Sequence, residues 1–131
     1  MKYKYDEYCC YLIGNGQFDD EYDPDFEGDT PLNLVDRPCF FNEDSIIELS
    51  DDNKWNLFIG ITCKDETFRQ PDDIKDFLTD AYNYLDNFIT YGTNNFTILM
   101  HYENKQKSMF QLDDRTMGLM SSLRIQLEIY L

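Results

Sequence analysis

Basic residues are scarce in this chain of 131 residues: 11 Lys and Arg stand against 26 Asp and Glu, giving a formal charge of −15 and a pI near 4.1. A surface of that sign repels a phosphate backbone instead of tracking it, which argues against direct nucleic-acid binding. Histidine is scarcer still. His101 stands alone, so a zinc site lacks its ligands, and a Cys or Ser nucleophile has no base that the sequence places beside it. The four cysteines, Cys9, Cys10, Cys39 and Cys63, show no CxxC spacing, and the adjacent pair would point to opposite faces of a strand. Reduced, buried thiols are the expectation. No apolar stretch approaches the roughly 20 residues that span a bilayer. The start, MKYKYDEYCCYLIGNG, has neither the h-region nor the small-residue cleavage site of a signal peptide. A soluble, cytoplasmic protein without a membrane partner is expected. Gly14-Asn15-Gly16 lacks the third glycine, the lysine and the following helix of a nucleotide loop. Carboxylates are too abundant for any pair to mark glycosidase-type chemistry, which needs two specific acids in differently tuned surroundings. The expectation is a protein that is not an enzyme and carries no cofactor.

Core material, in contrast, is plentiful. With 42% hydrophobic and 16% aromatic residues the chain is far from the composition of an acidic disordered tail. Its length fits one domain, residues 1–131, read as N-terminal strands plus an acidic loop over 1–50 and a βαββαβ-like core over 54–131.

Tyr8 to Ile13 is apolar on both faces, as in a central strand covered from two sides, and Gly14-Asn15-Gly16 is expected to end it. Ser45 to Leu49 is a short strand. Asp51-Asp52-Asn53 then turns into Trp55 to Cys63, whose alternation puts Trp55, Leu57, Ile59, Ile61 and Cys63 on one face and Asn56, Phe58, Gly60 and Thr62 on the other. A helix is expected from Pro71, with Asp72 and Asp73 at the positive end of its dipole. Ile74, Phe77, Leu78, Ala81, Leu85, Phe88 and Ile89 recur at helical spacing until Gly92. Phe96 to Tyr102 alternates, and Asn104 to Lys107 is expected to turn it into Ser108 to Leu112 as a hairpin. Asp113 or Asp114 caps a shorter helix through Leu123, interrupted by Gly118, and Ile125, Leu127, Ile129 and Leu131 share a last strand face. The fold class is therefore α+β: an antiparallel sheet with two helices on one face, in the ferredoxin-like split βαβ order from about residue 55, extended by the N-terminal strands.

Charge is unevenly spread. Residues 1 to 66 hold 17 acids and 5 bases, while residues 67 to 131 hold 9 and 6. Seven acids crowd into one run: Asp19, Asp20, Glu21, Asp23, Asp25, Glu27 and Asp29. From Asp23 the run matches the first six positions of a calcium loop, with Gly28 at the sixth. The match fails at Pro31 and at Leu34, where the closing Glu belongs, so no metal site is assigned. Mutual repulsion among these carboxylates raises the free energy of the isolated protein unless a basic surface relieves it. Tyr22 and Phe26 lie inside the run, the composition of a surface that both attracts and anchors a partner. The candidate partner-binding residues are thus Asp19, Asp20, Glu21, Tyr22, Asp23, Asp25, Phe26, Glu27 and Asp29. The partner class is a basic protein, most concretely a toxin nuclease, and the acids would pair with its Lys and Arg. Two alternatives use the same features: a phage-type inhibitor of a host defence nuclease, and a structural module that pairs with itself through an open sheet face.

In size, acidity and absence of catalytic motifs the chain resembles the immunity proteins of bacterial contact-dependent and polymorphic toxin systems. That resemblance implies a cytoplasmic antidote that blocks a toxin. Residues 54–131, with Trp55 opening a strand, the amphipathic helix after it and the ending FQLDDRTMGLMSSLRIQLEIYL, are similar to the bacterial family called domain of unknown function 4279. Where that family has a helix after its first strand this chain has the acidic segment, so no functional residues carry across.

Overall fold

The computed structural model describes residues 5–19, 38–50, 52–65, 71–101 and 112–130. A 3₁₀ turn at Tyr5–Glu7 leads into β1 (Tyr8–Phe18). β2 (Ile46–Leu49), β3 (Lys54–Cys63), α1 (Pro71–Thr90), β4 (Gly92–His101), α2 (Asp114–Ser122) and β5 (Ile125–Tyr130) follow. The five strands form one sheet in the order β2-β3-β1-β4-β5, and the class is α+β. No helix among the described residues is long and apolar enough to cross a membrane.

β1 is the middle strand, antiparallel to β3 on one side and to β4 on the other. β4 and β5 run parallel, joined through α2, so the sheet is mixed instead of wholly antiparallel. That parallel pairing displaces part of the expected hairpin. Phe96 to Met100 are paired on one side with β1 and on the other with β5, which leaves no free edge there for a returning strand. Leu112 is not in a strand, and residues 102–111 lie outside those described.

β1 also outruns its expected end. Gly14 and Gly16 do not turn the chain; they pair with Leu57 and Trp55 in the middle of the sheet. A Cβ on Gly14 would sit 2.6 Å from Phe96 Cδ1 and 3.2 Å from Trp55 Cζ3, so the glycine is there for the close approach of two rings. A second departure lies in β3. The register slips between Tyr11↔Gly60 and Cys10↔Thr62, leaving Ile61 as the extra residue of a bulge. Beyond it the faces exchange: Thr62 turns towards α1, where its Oγ1 donates to Asp73 Oδ2 at 3.0 Å, and Cys63 packs with Tyr8 and Phe58 on the opposite side.

Both helices cover one face. Ile74, Leu78, Ala81, Leu85 and Phe88 of α1 and Met120 of α2 bury against Leu12, Leu57, Ile59, Phe96 and Ile98. Trp55 is the keystone: its ring lies 4.4 Å from Phe88 and 5.6 Å from Phe96, centroid to centroid. Each such side chain contributes about 1.5–3 kcal/mol by leaving water. Pro71 opens α1, and Asp113 caps α2 by accepting the Thr116 backbone N–H at 2.7 Å. Lys75 Nζ reaches Asp113 Oδ2 at 3.4 Å, a link from α1 to the start of α2. Asn53, at φ 64°, supplies the left-handed residue of the β2–β3 turn, and Arg124, at φ 57°, that of the turn from α2 into β5.

Candidate functional site

Asp19 is the one member of the acidic run among the described residues. It is exposed, just past the end of β1, and its backbone N–H donates to Tyr91 O at 2.7 Å, which pins the first residue of the run to the α1–β4 junction. Asp20, Glu21, Tyr22, Asp23, Asp25, Phe26, Glu27 and Asp29 lie outside the described residues, as does the rest of the calcium-like segment. Among the described residues no group of His, Cys, Asp and Glu is arranged to hold a metal ion.

The sheet face opposite the helices carries a second set of side chains that the composition alone did not single out. Tyr11, Leu99 and Glu128 stand in one row across β1, β4 and β5, and His101 pairs with Tyr130 in the next. Tyr5 leans over Tyr11, with ring centroids 5.2 Å apart, and both rings pack against Phe58 at 5.4 and 5.6 Å. Tyr130 stacks on His101 at 5.3 Å and donates its hydroxyl to Glu128 Oε2 at 3.1 Å. Tyr8, Tyr11, Phe58 and Leu99 at the middle of this face are buried, and the exposed groups lie around them. Tyr5 is 38% and Tyr130 46% exposed, and Glu128 and His101 are exposed too. The signal was present in the sequence as alternation, since Leu99 and His101, and likewise Glu128 and Tyr130, sit two apart. Which strands become neighbours is what assembles them, and no local pattern states that.

Tyr8 anchors the same face from within. Its ring packs against Phe58 and lies over Gly60, where a Cβ would come within 2.3 Å of Tyr8 Cε1. Its hydroxyl donates to Asp44 Oδ2 at 2.7 Å. Burial and then the Asp44 carboxylate push its ionisation well above the ordinary tyrosine range. Burial also raises Tyr5 and Tyr11, and in Tyr11 the neighbouring Tyr130, Tyr5, Asp6 and Glu128 add to the effect. Tyr8 is thereby held neutral as the hydrogen-bond donor to Asp44.

The cysteines divide. Cys10 is buried in the helix-side core, with its thiol pushed up by burial, and Cys9 and Cys63 are half-buried. Cys39 is exposed, which corrects the expectation of four buried thiols. All four are free.

No family model, curated protein or solved structure matches the chain.

Proposed function

We propose that this protein is a non-catalytic inhibitor that binds a basic protein, in the manner of an immunity protein that neutralises a toxin nuclease. The observation that carries the reading is the one-sided charge, 26 acids against 11 bases, concentrated in the run that begins at Asp19. An acidic inhibitor gains twice from such a field. Association accelerates toward about 10⁸–10⁹ M⁻¹s⁻¹, and pairs of DNases with their immunity proteins reach dissociation constants of about 10⁻¹³–10⁻¹⁶ M. The sheet supports the reading by fixing Asp19, where the run starts, through a backbone hydrogen bond to Tyr91.

The test begins with the chain carrying an affinity handle in its native host, recovered at low and moderate salt. The expected result is a stoichiometric basic nuclease or toxin domain whose activity the purified chain suppresses. Neutralising Asp19, Asp20, Glu21, Asp23, Asp25, Glu27 and Asp29 should weaken the complex and flatten its salt dependence. Recovery of the chain alone, or affinity indifferent to those seven substitutions, sinks the reading. One observation favours self-assembly as a second reading: β5 ends the sheet among the described residues, with Ile129 43% exposed. Light scattering decides it, since that reading requires a homodimer without added partner.

A further inference from the structure

We propose that the exposed pair Tyr130 and Glu128, beside the buried Tyr11 and the partly exposed Tyr5 on the sheet face opposite the helices, is a docking point for an arginine side chain on the surface of the basic partner. The inference rests on the inhibitor reading and adds a second contact to it.

Chemistry selects the occupant. The cluster offers exposed aromatic rings beside a carboxylate. Tyr5 and Tyr130 are more than one-third exposed, and the Glu128 carboxylate accepts from Tyr130 at 3.1 Å. An ionised carboxylate has about four acceptor positions, so this bond leaves capacity for another donor. Asp6, exposed in the 3₁₀ turn beside Tyr5, adds negative charge, and Asp6 and Glu128 are the ionised groups acting on Tyr11. An anion would meet these carboxylates. A wholly apolar side chain would strip water from them and from the phenol hydroxyls without replacing their hydrogen bonds. A guanidinium satisfies both halves: its flat face stacks on a tyrosine ring, and its fork of N–H donors matches a carboxylate. An ammonium has the charge but neither the plane nor the fork.

The sheet makes the site rigid and sets it apart from Asp19. Tyr11, Leu99 and Glu128 are held by strand pairing on β1, β4 and β5. Asp19 leaves β1 eight residues beyond Tyr11, about 26 Å along an extended strand. A partner that engages both Asp19 and the Tyr130–Glu128 pair must present a basic surface of about that extent.

The experiment is an NMR titration of the isotopically labelled full chain at 0.15 M NaCl with acetyl-Gly-Arg-Gly-amide, and in parallel with the peptide carrying neutral citrulline in place of arginine. The expected result is a set of saturating shifts centred on Tyr11, Leu99, Glu128 and Tyr130 with the arginine peptide, at least about threefold tighter than with citrulline, the worth of one exposed cation–π or ion-pair contact. Glu128→Gln should lose that preference while the rest of the amide spectrum stays in place. If Glu128→Gln perturbs the fold, Tyr130→Leu at the exposed sheet margin makes the same test by removing the ring. Equal response to the two peptides overturns the inference, as do shifts spread over all surface acids or an undiminished preference in the variants. Failure of the inhibitor reading registers elsewhere: the unsubstituted chain retains no basic protein in its host, an outcome the peptide titration does not depend on.

Discussion

The hydroxyl of Tyr8, at the start of the central strand, donates a 2.7 Å hydrogen bond to the Asp44 carboxylate, 36 residues further along the chain. The bond ties the segment before β2 to the buried cluster on the sheet face opposite the helices. Tyr8→Phe should cost about 1.5–3 kcal/mol at neutral pH, the net worth of a hydrogen bond to a charged acceptor. The pH dependence has a definite sign. Because the folded state holds Tyr8 above its ordinary value of 10.0, its contribution is fully present below about pH 10 and is lost as pH climbs through the folded value. Urea unfolding at pH 8 and at pH 11 should therefore show a steeper alkaline loss for the parent chain than for Tyr8→Phe. Parallel curves would mean that the hydrogen bond is not a source of stability.

Two glycines should respond to alanine in opposite directions. At Gly14 the new Cβ would lie 2.6 Å from Phe96 Cδ1, and the rings of Phe96 and Trp55 are both fully buried. Overpacking of this kind costs about 1–3 kcal/mol. At Gly118, exposed on α2, a Cβ meets nothing within 4 Å. Removing a glycine from a helix interior there should stabilise the protein by about 1 kcal/mol. Thermal melts of the two single variants check both signs.

Gly14 and its neighbour Gly16 show where local reading reaches its limit. The extents of α1 and α2 were legible because apolar spacing, Pro71, the Asp113 cap and Gly92 all act within a few residues of one another. The core face of β3 was legible up to Ile61 because strand alternation is local. Gly14 and Gly16 resemble a turn in isolation. Their place in the middle of β1 depends on Trp55 and Phe96, distant residues that need the room. The bulge at Ile61, which exchanges Thr62 and Cys63 between faces, is likewise a property of the β1–β3 pair. The row Tyr11, Leu99 and Glu128 depends instead on β4 lying between β1 and β5. Of the acidic run, the charge was evident from composition, and only Asp19 falls within the described residues.

Thiol chemistry should follow burial. Cys39 is exposed, Cys9 and Cys63 are half-buried, and Cys10 is fully buried with its thiol pushed above its ordinary value. The thiolate is the reactive species, so burial slows reaction both by blocking access and by suppressing ionisation. Under native conditions one equivalent of a maleimide should go to Cys39 first, and Cys10 should react only when the protein is unfolded. Peptide mapping of a timed labelling series reads the order. Early labelling of Cys10 would show that the helix-side core opens far more readily than its packing implies.

Salt should act on the free protein and on its complex with opposite signs. At −15 the isolated chain carries more self-repulsion than its few bases relieve. The ion pairs Lys54–Asp52 and Lys75–Asp113 involve partly exposed groups, and pairs of that kind add little stability. Raising the ionic strength shortens the reach of the repulsion, to about 8 Å at 0.15 M, so the melting temperature of the free chain should rise by a few degrees between low salt and 0.5 M NaCl. Association with a basic partner is driven by the same field, and its rate should fall over the same range. Calorimetric melts and stopped-flow association across one salt series test the pair of slopes together. A melting temperature that falls with salt would mean that attractive ion pairs dominate the folded state, and the argument that a partner relieves stored repulsion would lose its basis.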